Sequence, residues 1–163
     1  MRRITMFGGA AAAAVLVMTG ATMSGAGGAS VRTLRFYEHD DQDVYLDLGD
    51  KGDSPGDRYT YAGNLFDRKG GKTIGRVAGV CEALSTGAAH AESACTVNFV
   101  LAGGEIVGGG LFKTAELFGG GKTLTFPLTG GTGIYRNIHG WGTVQVPPDV
   151  PNYADANWVL HRS

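Results

Sequence analysis

The sequence predicts an all-β domain, an eight-stranded antiparallel β-barrel with up-and-down connectivity. Three observations carry that expectation. No long segment shows a 3.6-residue apolar period with helix caps. Short extended runs recur instead, divided by clusters of Gly, Asp, Asn and Pro. Glycine, at 28 of 163 residues, is more than double its average share of about 7%, yet no Gly-X-Y period signals a collagen helix.

The elements follow in chain order. Residues 1–29 read as a secretory leader. Arg2 and Arg3 form its basic start, residues 10–18 its apolar core, and Gly27, Gly28 and Ala29 a cleavage site before Ser30. The apolar run is well short of the ~20 residues a spanning helix needs, so no stable membrane anchor is expected. Residues 30–163 then form a single barrel domain that is secreted. Without Arg2 and Arg3 that domain carries 12 basic and 15 acidic side chains, a balance that excludes a nucleic-acid partner.

Strands are expected at 33–38, 58–66, 72–84, 95–101, 105–112, 123–128, 140–146 and 157–161, with 43–48 (DVYLDL) as a possible short extra strand. Glycines at 67–71 (DRKGG), 102–104 (AGG) and 119–121 (GGG) supply the turns, and Pro147, Pro148 and Pro151 an extended connection to the last strand. Most strands are therefore consecutive antiparallel neighbours. Residues 72–84 are semi-apolar on both faces, with Ile74, Ala78 and Val80 on one and Val77, Cys81 and Ala83 on the other. A barrel wall between a lumen and a subunit interface has that pattern. Gly75 and Gly79 would leave space inside such a wall. Two cysteines, Cys81 and Cys95, are an even count in an exported chain, which favours a disulfide over two free buried thiols.

Several chemistries are excluded. Two GKT strings, at 71–73 and 121–123, have Phe66 and Glu116 where a phosphate loop needs glycine, and both precede strands. The acidic stretch 38–57 lacks calcium-loop spacing and reads as a solvated loop. His39, His90, His139 and His161 show no metal-ligand spacing, so neither metal nor cofactor is expected. The residues alone lead to an exported barrel with a pocket.

Six phrases in order add a resemblance. They are 34–40 (LRFYEHD), 56–67 (GDRYTYAGNLFD), 74–84 (IGRVAGVCEAL), 95–104 (CTVNFVLAGG), 128–135 (LTGGTGIY) and 140–144 (GWGTV). Together they resemble the allene oxide cyclase and dirigent superfamily. That resemblance implies an eight-stranded barrel with a hydrophobic lumen, often assembled as a homotrimer. It also implies a protein that holds a small apolar substrate and steers its cyclisation or isomerisation by positioning and water exclusion. The cyclase Glu falls on Glu38, where a buried carboxylate would stabilise developing positive charge. The cyclase Asn falls on Asp40, and its Cys on Cys81, which a bridge to Cys95 would remove as a free lumen thiol. Glu38 and Asp40 are thus the candidate catalytic residues, and Tyr61, Val77 and Asn98 candidate lining residues of the pocket.

Three functions remain open on this barrel. A cyclase, isomerase or dirigent-like steering protein predicts a deep lumen with Glu38 pointing inward. A non-catalytic small-molecule carrier predicts a lumen without convergent ionisable groups. A structural protein predicts a lumen packed shut.

Overall fold

The computed structural model describes residues 32–87, 90–118, 120–146 and 155–162. The expected leader at 1–29, Gly119 and the proline connection lie outside them. Eight strands follow one another: β1 (Arg32–Leu46), β2 (Arg58–Phe66), β3 (Thr73–Ser85), β4 (Glu92–Leu101), β5 (Gly104–Lys113), β6 (Thr123–Gly131), β7 (Gly140–Gln145) and β8 (Asp155–Arg162). A four-residue helix, α1 (Thr114–Leu117), leads out of β5, and a 3-10 turn at Gly133–Tyr135 follows β6. Each strand pairs antiparallel with the next, and β8 returns to β1, closing the barrel.

Closure leaves no free sheet edge. Period-two alternation then decides what lies inside. Phe36 and Glu38 of β1, Leu124, Phe126 and Leu128 of β6, and Ala156, Trp158 and Leu160 of β8 are all buried at alternate positions. Phe126 fits because Gly142 faces it: a Cβ there would fall 2.2 Å from the ring Cζ. Leu65, Val77, Phe99 and Ile106 are essentially inaccessible and fill one half of the barrel, where Tyr135 and Ile138 cap them. Burying each of these side chains contributes about 1.5–3 kcal/mol.

Three expectations change. Residues 43–48 form no separate strand, since β1 runs on to Leu46 through a register shift between Asp40 and Gln42. A bulge of this kind bends a strand without ending it, which lets one long strand follow the barrel wall. Second, β4 begins at Glu92, three residues before the expected start, because Ser93 is buried and bonds the Thr114 hydroxyl at 3.0 Å. Third, the acidic stretch is built rather than merely solvated. Asp57, 2% exposed, accepts hydrogen bonds from the backbone of Ser54 (2.7 Å) and Leu48 (2.9 Å) and from the Tyr45 hydroxyl (2.9 Å). Those donors, the Ser54 amide first, hold its carboxyl down at about 2.

The disulfide is present. Cys81 and Cys95 sit directly opposite one another on β3 and β4, and their sulfurs are bonded.

Candidate active site

The unfilled half of the barrel holds the site. There β1 presents Glu38 and Asp40, two positions apart and so on one face of the strand. The strands flanking β1 add Trp158 from β8 and Tyr59 and Tyr61 from β2, and β6 supplies Phe126. Leu117 and Phe118, at the end of α1, close part of the mouth, and Phe118 meets the Tyr59 ring edge-on at 5.5 Å. The chamber has a volume of about 100 Å³ and opens at its mouth. An outer vestibule of about 800 Å³, lined by Asp43, Tyr45, Ser93 and Thr114, adjoins it and shares Tyr59, Cys81 and Phe118. Ligand pockets run to about 300–1,000 Å³, so chamber and vestibule together have the size of a small-molecule site.

Local sequence explains the chamber's shape. Gly79 lies against Tyr61, and a Cβ there would fall 2.3 Å from the ring Cζ. Only glycine lets that ring lie flat on β3. Gly63, opposite Asp40, makes room for β1 itself: a Cβ would fall 2.4 Å from the His39 carbonyl oxygen and 2.8 Å from Asp40 Oδ1.

Electrostatics single out Glu38. It is 2% exposed, and Trp158 donates its indole N–H to Oε2 at 2.5 Å. Glu38 Oε1 and Asp40 Oδ1 are buried and take no hydrogen bond from any third residue among the described ones, so the two carboxyls have each other. Burial first, then the charge of Asp40, push the Glu38 carboxyl well above the usual carboxylate range. Burial also raises Asp40, from 3.8 to about 6, against the opposing effect of a hydrogen bond with Glu38. Burial thus favours the protonated form of Glu38 most, and Asp40 is the more readily ionised member of the pair. Burial first, then the neighbouring carboxyls, push the Tyr61 phenol well above its ordinary value. The chamber thus offers an acid, a base and a phenol within apolar walls.

The residues singled out from sequence divide as follows. Glu38, Asp40 and Tyr61 meet in the chamber. Val77 faces inward but belongs to the packed half, 1% exposed. Asn98 does not line the chamber, because it alternates with the buried Val97 and Phe99 and so takes the outer face of β4. Cys81 and Cys95 are part of the chamber wall as a disulfide, with no free thiol. Trp158 and Phe118 went unrecognised in the sequence. Trp158 lies 120 residues from Glu38, and only closure of β8 onto β1 joins them. Its one legible signal was alternation with Ala156 and Leu160.

The site also has an outward counterpart. On the other face of β1, His39 contacts Asp155 at 2.8 Å, and the Lys69 ammonium lies 3.7 Å from the same carboxylate.

A closed antiparallel barrel, packed at one end and hollow at the other with a carboxyl pair in the hollow, defines a class of single-mouthed barrels. Within that class the chain belongs to the allene oxide cyclase barrel-like domain family, whose pattern it matches over residues 34–160. No curated protein matches it significantly. Among solved structures it is similar to a pyocyanin demethylase, at 25% identity and a TM-score of 0.66, covering 81% of this chain and 100% of that one. A Diels-Alderase from Streptomyces koyangensis is similar at 23% identity and a TM-score of 0.67; the match covers 80% of this chain and 63% of that one. A pterocarpan synthase dirigent protein shares the fold at 13% identity and a TM-score of 0.62, over 81% of this chain and 88% of that one.

Proposed function

We propose that this barrel binds a small, largely apolar metabolite in its chamber and steers its cyclisation or isomerisation. The observation that carries this reading is Glu38, a buried carboxyl set beside Asp40 in an otherwise apolar cavity, where burial favours its protonated form. A packed structural barrel needs no such hollow, and a carrier needs no acid–base pair. In the proposed step, Glu38 gives its proton to a substrate oxygen or unsaturated carbon. Asp40 takes a proton from a neighbouring substrate position. The substrate keeps its atoms and the pair keeps one proton, so the product is an isomer. The aromatic walls hold the substrate folded and exclude water. The similar structures bear the names of a demethylase, a Diels-Alderase and a synthase, which favours catalysis over mere carriage on this barrel.

Export through residues 1–29, a single domain over 30–163 and assembly as a homotrimer belong to the same reading. The disulfide supports export. Among the described residues no helix is long and apolar enough to cross a membrane.

The test begins with protein recovered from culture medium. Native mass spectrometry reads any retained ligand and the oligomeric state. That ligand is then incubated with wild type and with Glu38→Gln, and products are separated by chromatography. A product of equal mass from wild type, lost about 10²–10⁴-fold in rate in the variant, supports the reading. A wild type that releases its ligand unchanged reduces the barrel to a carrier.

A further inference from the structure

The chamber and vestibule have a one-sided charge that the whole chain lacks. The chain carries 14 basic and 15 acidic side chains. Among the described residues, every carboxyl or basic side chain lining the two cavities is nevertheless a carboxyl. Glu38 and Asp40 lie in the chamber and Asp43, Asp53 and Asp57 around the vestibule, while no Lys, Arg or His among the described residues lines either one. Arg58, Arg76 and Lys69 sit instead on exposed ion pairs with Glu82, Asp41 and Asp155. Asp57 is occupied by its backbone and Tyr45 donors, whereas Asp43 stands exposed at the mouth.

Two features turn this asymmetry toward a ligand. First, the nine-tenths-buried Glu38 has an oxygen, Oε1, that no third residue among the described ones supplies with a donor, and the neighbouring Asp40 Oδ1 is placed likewise, so one proton at most serves both carboxyls. Both belong to the chamber lining. Acceptors left without donors in an apolar cavity favour an occupant that brings positive charge or N–H groups. Second, the walls beside them are aromatic: Tyr61, Phe112, Phe118, Phe126 and Trp158. Ring faces carry negative electrostatic potential and attract cations. An anion would meet five carboxyl groups and no basic partner. Low-dielectric walls focus such a field rather than dissipate it.

We propose that the chamber selects a planar aromatic ligand bearing a positive charge, with the charge seated at Asp40, beside Glu38, and the ring between the aromatic walls. This rests on the reading of the chamber as a small-molecule site and narrows it to one class. It also gives Asp40 a second part to play: a cationic ring acidifies its own substituents, which eases proton removal by the carboxylate.

The experiment uses three ligands of nearly equal shape and different charge: N-methylquinolinium, quinoline and quinoline-4-carboxylate. Binding to the intact protein is measured by calorimetry at about pH 8, where quinoline is neutral. N-methylquinolinium is expected to bind about tenfold more tightly than quinoline, with the carboxylate weakest. Asp40→Asn is expected to cut that preference several-fold, and Asp43→Asn to cut it less, with a loss of its salt dependence. Equal or tighter binding of quinoline or its carboxylate overturns the charge selection and leaves the small-molecule site standing. A cation preference unchanged in both variants also overturns it. Failure of all three ligands to bind overturns the charge selection together with the reading beneath it.

Discussion

Asp40→Asn is the sharpest test of the electrostatics. Burial raises this carboxyl from 3.8 to about 6. For a fully buried group that displacement corresponds to about 3 kcal/mol of cost for keeping the ionised form in the fold. Asp40 is only partly buried, so solvent screening reduces the cost to about 1–2 kcal/mol. The sign follows from proton binding. Between pH 3.8 and about 6 the folded chain holds a proton that the unfolded chain has released. Stability therefore falls as pH rises through that window and stays low above it. The amide cannot ionise, so the variant escapes this loss, and its N–H group can donate to the orphaned Glu38 Oε1. Asp40→Asn is expected to melt about 3–6 °C above wild type at pH 8. At pH 3.5, below both values, that gain should shrink to the contribution of the new hydrogen bond alone. Scanning calorimetry across this range provides the measurement. A variant that is less stable at pH 8, or whose advantage is the same at both pH values, would refute the assignment of a strained carboxyl pair.

Four further outcomes follow from the same geometry. Trp158→Phe leaves Glu38 Oε2 without its donor and should cost about 1–3 kcal/mol by denaturant titration; in a Glu38→Leu background most of that cost should vanish. Replacing Cys81 and Cys95 together by Ala should lower stability by about 3 kcal/mol, consistent with a bridge across 14 residues of chain, and wild type should titrate no free thiol before reduction. Gly79→Ala forces the Tyr61 ring off β3 and should cost about 1–3 kcal/mol while displacing ligand from the chamber, read by thermal shift and binding together. Asp57→Asn removes a carboxylate held near pH 2, so limited proteolysis should cut the 47–57 segment faster in the variant; wild type should show the same sensitivity only as the pH falls from 3.8 toward 2.

Much of the barrel was legible because strands bounded by glycine turns announce themselves locally. The alternation of Leu124, Phe126 and Leu128, or the glycine turn at 102–104, needs no distant partner to be read. The long β1 was harder. Its continuation through Asp41, Gln42 and Asp43 is polar, and only pairing with β2 across a bulge shows that those residues extend the wall. Asn98 illustrates a second limit. Candidate lining residues on a strand are separated by single steps, so an error of one residue moves a side chain from lumen to surface.

What the sequence by itself determined was the barrel and its eight strands, which depend on residue type and short spacing, while its resemblance to a known family pointed to Glu38 and Asp40. The tertiary structure alone decided which half of the lumen is hollow. Large side chains from β2, β3, β4 and β5 converge at one end, while Gly79 and Gly109 and the disulfide leave room at the other. It alone also brought the Trp158 indole to Glu38 across 120 residues. Burial, donors and charge neighbours set the protonation of a carboxyl, and closure of the chain supplies all three.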